Sequence, residues 1–221
     1  MGRDQKLFNN PINADPAKHL AGLVIGTLCL RKIMKKIIII LLLIFISQSA
    51  HALVEMKILT NEGYVGFTVE DNWTILSMQT KLPIATALFQ IPNQADSGTP
   101  DSTNLIIKFY QNSSEKAQES FNAPIKKFGE DDIKLTEIED WKIYSQKAKQ
   151  EGVVYTIIDA KRDNFAEVSV FIRIAWPHLN GNAKDYNNKM EKRFFEFLKS
   201  VNGYIGKYTP KEGEVIRRLE N

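Results

Sequence analysis

The stretch WKIYSQKAKQEGVVYTIIDAKRDNFAEVSVFIRIAW, residues 141–176, decides the fold of this chain. It holds three runs rich in β-branched and aromatic residues, Trp141–Ala148, Val153–Ala160 and Glu167–Trp176. The connections KQEG and KRDNF have the composition of turns, and short turns between such runs join antiparallel neighbours. The stretch therefore predicts a three-stranded antiparallel meander.

The predicted meander is apolar on both of its faces. Phe171 and Ala175 lie on one face of its last run, and the middle run is apolar on both faces. The alternate residues of the last run share the other face, and they are Val168, Val170, Ile172, Ile174 and Trp176. A sheet of this kind needs cover on both sides. One cover is predicted at 185–203, where DYNNKMEKRFFEFLKSVNG carries an apolar face at helical spacing.

The segment before the meander predicts further strands. Val65–Val69 and Trp73–Met78 flank a turn-forming cluster and predict a hairpin. Ala87–Ile91 and Asn104–Tyr110 predict two more strands. The polar loop at 93–103 separates these two strands.

A helix is predicted to follow, with Asn112 as its N-cap and Glu115 three residues later. Its apolar spacing continues to Phe128, and Pro124 should kink or divide it. Residues 204–221 are rich in charge and predict a loosely packed C-terminal tail.

The element order resembles that of the PsbP-like superfamily. The resemblance covers residues 65–202 and rests on VEDNWTILS, STNLIIKFYQ, the stretch 141–176 and MEKRFFEFLKSV. That family contains a photosystem II extrinsic subunit, a Ran-binding protein and many small exported bacterial proteins. The resemblance implies an α+β fold, an α/β/α sandwich around a mainly antiparallel sheet. It also implies a binding or assembly role instead of catalysis, with no catalytic residues to carry over.

Residues 34–52, MKKIIIILLLIFISQSAHA, have the order of a secretory signal peptide. Two lysines precede an apolar run of ten residues, and small residues follow it. Such a run is too short to cross a hydrocarbon core, which needs about 20 residues as a helix. Cleavage is predicted between Ala52 and Leu53.

Residues 1–33 then form a leader ahead of the signal, and the pattern favours translation from Met34. The alternative is an uncleaved anchor that joins 20–30 and 37–46 into one membrane helix. That helix would carry four Lys and Arg residues in its middle, at about 2.5–3.5 kcal/mol each. Cleavage predicts a periplasmic or secreted protein with one domain at 53–203, and no stable membrane span after cleavage.

Composition excludes several functions for the predicted mature chain. Its 169 residues contain no cysteine, because Cys29 is the only one in the sequence. Residues 1–52 hold seven of the 29 Lys and Arg and two of the 26 Asp and Glu, so residues 53–221 have a formal net charge of −2. Thiol catalysis and disulfides are therefore excluded, and there is no basic footprint for nucleic acid.

The sequence offers two candidate sites. His178, in AWPHLNGN at a strand end, is a candidate catalytic base or metal ligand. Glu130, Asp131 and Asp132 are candidate metal ligands, although their spacing matches no EF-hand. The surrounding sequence favours an exposed loop histidine and a solvated acidic turn. No phosphate-binding glycine loop occurs, so no cofactor is predicted.

Two functional hypotheses follow from these observations. The first is an exported, non-enzymatic domain that binds an unknown envelope protein or assists assembly. The alternative is a small-molecule binder or hydrolase with a pocket under the 93–103 loop, in which His178 takes part. A buried cleft lined by converging polar groups would favour the alternative.

Overall fold

A computed structural model describes residues 52–92, 102–178 and 184–220. Of these residues 57% are in strands and 16% in helices. The helices are α1 (Glu115–Asn122) and α2 (Lys184–Ser200). The strands are β1 (Leu53–Leu59), β2 (Gly63–Glu70), β3 (Thr74–Gln79), β4 (Ile84–Pro92), β5 (Ser102–Gln111), β6 (Lys134–Ile138), β7 (Trp141–Gln150), β8 (Val153–Phe165), β9 (Val168–Pro177), β10 (Asn202–Ile205) and β11 (Val215–Arg218).

The larger sheet has seven strands in the order β3-β4-β5-β9-β8-β7-β6, and all of its neighbours are antiparallel. The predicted meander is confirmed as β7, β8 and β9. Its register pairs Ile143 with Ala160 and Ile158 with Ile174, which places apolar residues side by side on one face. That inner face is fully buried at β9, where Ile172 has no exposed surface.

The smaller sheet has four strands in the order β10-β2-β1-β11, and β1 runs parallel to β11. It packs with α2 against the inner face of the larger sheet in one apolar core. Phe67 of β2 marks the junction, since its ring centroid lies 6.1 Å from that of Phe89 in β4 and 5.9 Å from that of Phe197 in α2. The inner cover therefore consists of a sheet and a helix.

The predicted α/β/α sandwich is wrong, because the described residues are mostly β and form two sheets. The predicted hairpin of Val65–Val69 and Trp73–Met78 is also wrong. These runs become β2 and β3, which lie in different sheets and do not pair. The sequence shows each run as β-forming, but strand propensity does not specify the partner strand.

Segments on either side in the sequence supply the strands beside β2. Leu53–Leu59 pairs with β2 from Tyr64 to Glu70, and Asn202–Ile205 pairs with its other side. Val215–Arg218 then extends the sheet beside β1. The predicted loosely packed tail, residues 204–221, therefore contains residues of β10 and β11 that belong to the smaller sheet.

The C-terminal segment is fastened to the smaller sheet by Lys57, whose side chain is only 4% exposed. The ammonium bonds Glu214 and lies 2.8 Å from the Tyr208 hydroxyl and 2.9 Å from a Glu55 oxygen. Burial alone would lower the pKa of Lys57, but these hydrogen bonds raise it above its ordinary value. The bond to Lys57, together with bonds from the Tyr208 hydroxyl and the Lys211 backbone N–H, lowers the pKa of Glu214 to about 2, so the pair stays charged at neutral pH.

Helix α1 is shorter than predicted. Ser114, and not Asn112, is its N-cap, since the Ser114 hydroxyl accepts from the Ala117 backbone N–H at 3.3 Å. The helix ends at Asn122, two residues before Pro124, because proline cannot continue a helix. Phe121 packs with Tyr110 on the outer face of the larger sheet, where their ring centroids are 5.5 Å apart.

An ion pair lies on the same outer face. Asp159 of β8 has no exposed surface, and it accepts two hydrogen bonds from Arg173 of β9, at 2.6 and 2.8 Å. The two residues are register partners on adjacent strands. The Arg173 guanidinium also lies 5.2 Å from the centroid of the Phe128 ring. Asp159 and Arg173 therefore compensate each other's charge where the segment after α1 covers them and removes them from water.

Removing the charge of Asp159 should therefore cost stability. We expect Asp159→Asn to lower the free energy of unfolding by about 3 kcal/mol, because the Arg173 charge would stay partly buried without its partner. Urea denaturation followed by fluorescence measures the change. Asp163→Asn, at an exposed position on the same strand, is the control and should change stability by less than about 0.5 kcal/mol. Equal effects of the two substitutions would contradict a structural role for the pair.

Candidate functional site

Five parts of the chain meet at one end of the two sheets and enclose a cleft of about 230 Å³. They are the β1–β2 turn, the β3–β4 turn, the end of β5 with the turn that follows, the β8–β9 turn and the end of β11. The cleft is lined by Thr60, Asn61, Glu62, Leu82, Gln111, Asn112, Ser113, Glu167, Val168 and Leu219. We call it the end cleft. Turn residues on a rigid scaffold are where binding groups are commonly placed.

The β1–β2 turn holds one wall of the end cleft. Thr60 closes the turn twice, through its backbone N–H to the Gly63 carbonyl at 2.9 Å and through its hydroxyl, which accepts from the Gly63 N–H at 3.0 Å. Position 63 requires glycine, because a Cβ there would lie 1.7 Å from the carbonyl oxygen of Tyr204. Asn61 and Glu62 are left exposed at the tip of a fixed turn.

The β8–β9 turn supplies another wall of the end cleft and has a strained backbone. Asn164, Ala166 and Glu167 have φ values of 50°, 48° and 69°. Positive φ is unfavourable for residues with a Cβ, at about 1–3 kcal/mol each, and it persists only where surrounding contacts hold it. In this conformation the Glu167 carboxylate accepts a hydrogen bond from the Glu62 backbone N–H at 2.9 Å.

Asn112 supplies the contacts that hold this wall. Its backbone N–H donates to the Glu167 carbonyl at 3.0 Å. Its side-chain oxygen accepts from the Ser169 hydroxyl at 2.9 Å and from the Gln118 amide at 3.3 Å, and its side-chain N–H donates to the Asn164 oxygen at 3.4 Å. The residue predicted to cap a helix instead links the β8–β9 turn to α1.

The end cleft is acidic. Glu62 and Glu167 are among its lining residues, and no lysine, arginine or histidine is. Its other polar groups are hydroxyls and amides, which can both donate and accept. The arrangement suits a small cationic group that donates hydrogen bonds to carboxylates.

His178 lies elsewhere, at the end of β9, and both of its ring nitrogens are engaged. Nε2 is 3.2 Å from the ammonium of Lys147, and Nδ1 is 2.8 Å from the Thr156 hydroxyl. Since an ammonium can only donate, Nε2 accepts and Nδ1 carries the proton that is donated to Thr156. Burial, and then the charge of Lys147, lowers the pKa of His178. The neutral ring is therefore held by two hydrogen bonds, and neither of its nitrogens is free to act as a base.

The acidic candidates lie on an open surface near the same lysine. Glu130 and Asp131 line a shallow depression with Lys147 and Lys149, and the carboxylate of Asp132 is 3.2 Å from the Lys127 ammonium. Within residues 52–92, 102–178 and 184–220, no group of three or more His, Cys, Asp or Glu side chains is arranged to hold a metal ion. The structure brings His178 and the acidic turn to one region, with a lysine between them.

Other predicted features fall largely outside the described residues. They include the signal segment up to residue 51 and residues 93–101 of the polar loop, so the proposed pocket beneath that loop has no structural account. Leu53, the predicted first residue after cleavage, is the first residue of β1. Neither described helix is long and apolar enough to span a membrane.

Sequence reasoning did not identify the residues of the end cleft. Glu62 and Glu167 lie in turns and match no motif, and Asn112 was predicted only as a helix N-cap. The one available signal was the polar composition of each turn, which is common to solvated turns in general.

Comparison with protein-family models, curated proteins and solved structures finds no match for this chain.

The state of His178 can be tested by titration. We expect its imidazole to titrate below the ordinary pKa of 6.5, and Lys147→Met to raise that pKa because it removes a neighbouring positive charge. NMR of the full chain, with His178→Gln to assign the signal, measures both values. Lys149→Met is the matched control and should leave the pKa close to that of the wild type. A wild-type pKa at or above 6.5 would show that the ring is not held as described.

Proposed function

We propose that this protein is an exported, non-enzymatic binding protein that takes a cationic side chain of a partner protein into the end cleft. The acidic, cation-free lining of the end cleft carries the proposal. Glu62 and Glu167 both line the cleft, and the hydrogen bond from the Glu62 backbone N–H to the Glu167 carboxylate holds the two residues together. A guanidinium or ammonium that enters would donate to both carboxylates.

The size of the end cleft favours a side chain over a larger ligand. Its volume of about 230 Å³ is below the range of about 300–1,000 Å³ that is usual for drug-sized ligands. A single residue of a partner would fill it while the rest of the partner contacts the surrounding turns. Such an anchor in a pocket is a common source of binding energy in protein interfaces.

A binding role also agrees with the state of the candidate catalytic group. Both ring nitrogens of His178 have partners within the protein, and its pKa is lowered by burial and by Lys147. The end cleft itself contains no histidine, cysteine or lysine. We therefore favour recognition over hydrolysis.

The cleft proposal predicts selective binding of a positive charge. We expect N-acetylarginine amide to bind the full chain and N-acetylcitrulline amide, its neutral counterpart, to bind at least about tenfold more weakly, because a charge-assisted hydrogen bond contributes about 1.5–3 kcal/mol. Chemical-shift titration by NMR gives the two affinities and shows whether the shifts lie around the end cleft.

A substitution tests the same proposal from the protein side. Glu167→Gln should weaken the arginine amide by about tenfold. The matched control is Glu151→Gln, because Glu151 is exposed, also has positive φ, and lies in the turn at the opposite end of β8. Equal binding of arginine and citrulline amides, or equal effects of the two substitutions, would overturn the proposal.

We also propose export with cleavage between Ala52 and Leu53. Support comes from the signal pattern at 34–52 and from the position of Leu53 as the first residue of β1, so that cleavage keeps all seven residues of the strand. Expression from the native start, followed by intact mass and N-terminal sequencing, should give a chain that begins at Leu53. Ala52→Leu should block that product, because the peptidase requires a small residue there. A wild-type product that retains residues 34–52 would overturn the proposal.

A further inference from the structure

Strand β10 forms an open edge of the smaller sheet beside the end cleft. It pairs with β2 on one side, and no described strand pairs with its other side. Ile205 is the register partner of Gly63, and the backbone N–H of the next residue, Gly206, donates to the Glu62 carbonyl at 2.6 Å. Glu62 therefore belongs both to the end of this edge and to the wall of the end cleft.

The backbone direction shows which groups of β10 face outward. The Tyr204 carbonyl points at Gly63 of β2, since a Cβ on Gly63 would meet that oxygen. In a strand the N–H and C=O of one residue point to the same side, and the next residue points to the other side. The backbone N–H and C=O groups of Gly203 and Ile205 consequently face the open edge, where they are available to another strand.

The open edge is uncharged and has exposed apolar side chains. Ile205 is 67% exposed and Tyr204 is 45% exposed. The opposite edge strand of this sheet, β11, carries Arg217 and Arg218. Charged side chains on an edge discourage the addition of further strands, so the two edges of the smaller sheet differ in this respect.

We propose that an extended segment of the partner adds as a strand along β10 and places a Lys or Arg side chain in the end cleft. This inference rests on the proposed function of the end cleft and defines its partner as an extended chain with a basic residue among apolar or β-branched residues. Main-chain hydrogen bonds to Gly203 and Ile205 would supply affinity, and the cleft would supply selectivity. Charge complementarity argues for this occupant, because Glu62 lies where the edge and the cleft meet.

The probe for this test is the blocked peptide acetyl-Thr-Val-Arg-Val-Thr-amide, compared with N-acetylarginine amide on the full chain. We expect the peptide to bind at least about tenfold more tightly than the single residue, since two or more added hydrogen bonds contribute about 0.5–1.5 kcal/mol each. Isothermal titration and NMR give the affinities.

Ile205→Pro tests the open edge directly. Proline removes the outward N–H of position 205 without removing a bond to β2, and proline is tolerated on edge strands in that orientation. We expect this variant to bind the peptide about tenfold more weakly and to bind arginine amide as the wild type does. Ile205→Val keeps the N–H and is the matched control.

Two N-methylated peptides test the wild-type protein without any substitution in it. One carries the methyl group on the arginine nitrogen and the other on the valine nitrogen that precedes it. Adjacent N–H groups of a strand point to opposite sides, so strand addition predicts that only one isomer loses about tenfold in affinity. This comparison decides the question even if Ile205→Pro does not fold.

The outcomes separate this inference from the proposed function. If the peptide binds no more tightly than arginine amide, or if both methylated isomers bind equally, strand addition is overturned while the end cleft is retained. If the peptide shows the expected sensitivity to methylation but Glu167→Gln leaves its affinity unchanged, strand addition stands and the role of the end cleft fails. Sensitivity to both changes supports the combined proposal.

Discussion

The larger sheet must remove apolar side chains on both of its faces from water, and its central strand β9 shows how this is done. On the inner face Ile172 and Ile174 are buried under the smaller sheet and α2. On the outer face α1 and the segment after it provide cover, and Arg173 is accommodated there by the buried carboxylate of Asp159. A two-faced sheet cannot be stable alone. The smaller sheet, both helices and the loops that join them are arranged around this requirement.

The parts of the fold that depend on local pattern could be predicted. The meander 141–176 and helix α2 have clear periods of 2.0 and 3.6 residues, and both occur, although the segment KRDNF that was predicted as a turn is the end of β8. The second sheet could not be predicted in the same way, because its four strands come from Leu53–Leu59, Gly63–Glu70 and two short runs after residue 201. Its pairing depends on contacts between distant segments. The expectation of a helical layer on each face followed from the correct burial argument, but with the wrong inner cover.

The candidate site depends even more on distant contacts. Glu62 and Glu167 are 105 residues apart in sequence and meet through one hydrogen bond. No spacing rule identifies such a pair, and each residue alone resembles a solvated turn glutamate. His178 was visible because histidine is rare in the chain, with three in the full sequence. Residue type could not show that Thr156 and Lys147 would occupy its ring nitrogens.

The fastening of the C-terminal segment connects stability to the proposed binding edge. That segment forms both edge strands of the smaller sheet, β10 and β11, and between them its Tyr208 and Glu214 bond the buried Lys57. A buried ammonium is costly unless its partners remain in place, so the chain between β10 and β11 is held against the sheet. The ring of Tyr64 continues the cluster, since it packs on Tyr204 of β10 at a centroid distance of 5.5 Å. The open edge beside the end cleft is thus supported by a charge cluster on β1, and a rigid edge lowers the entropy cost of adding a strand to it.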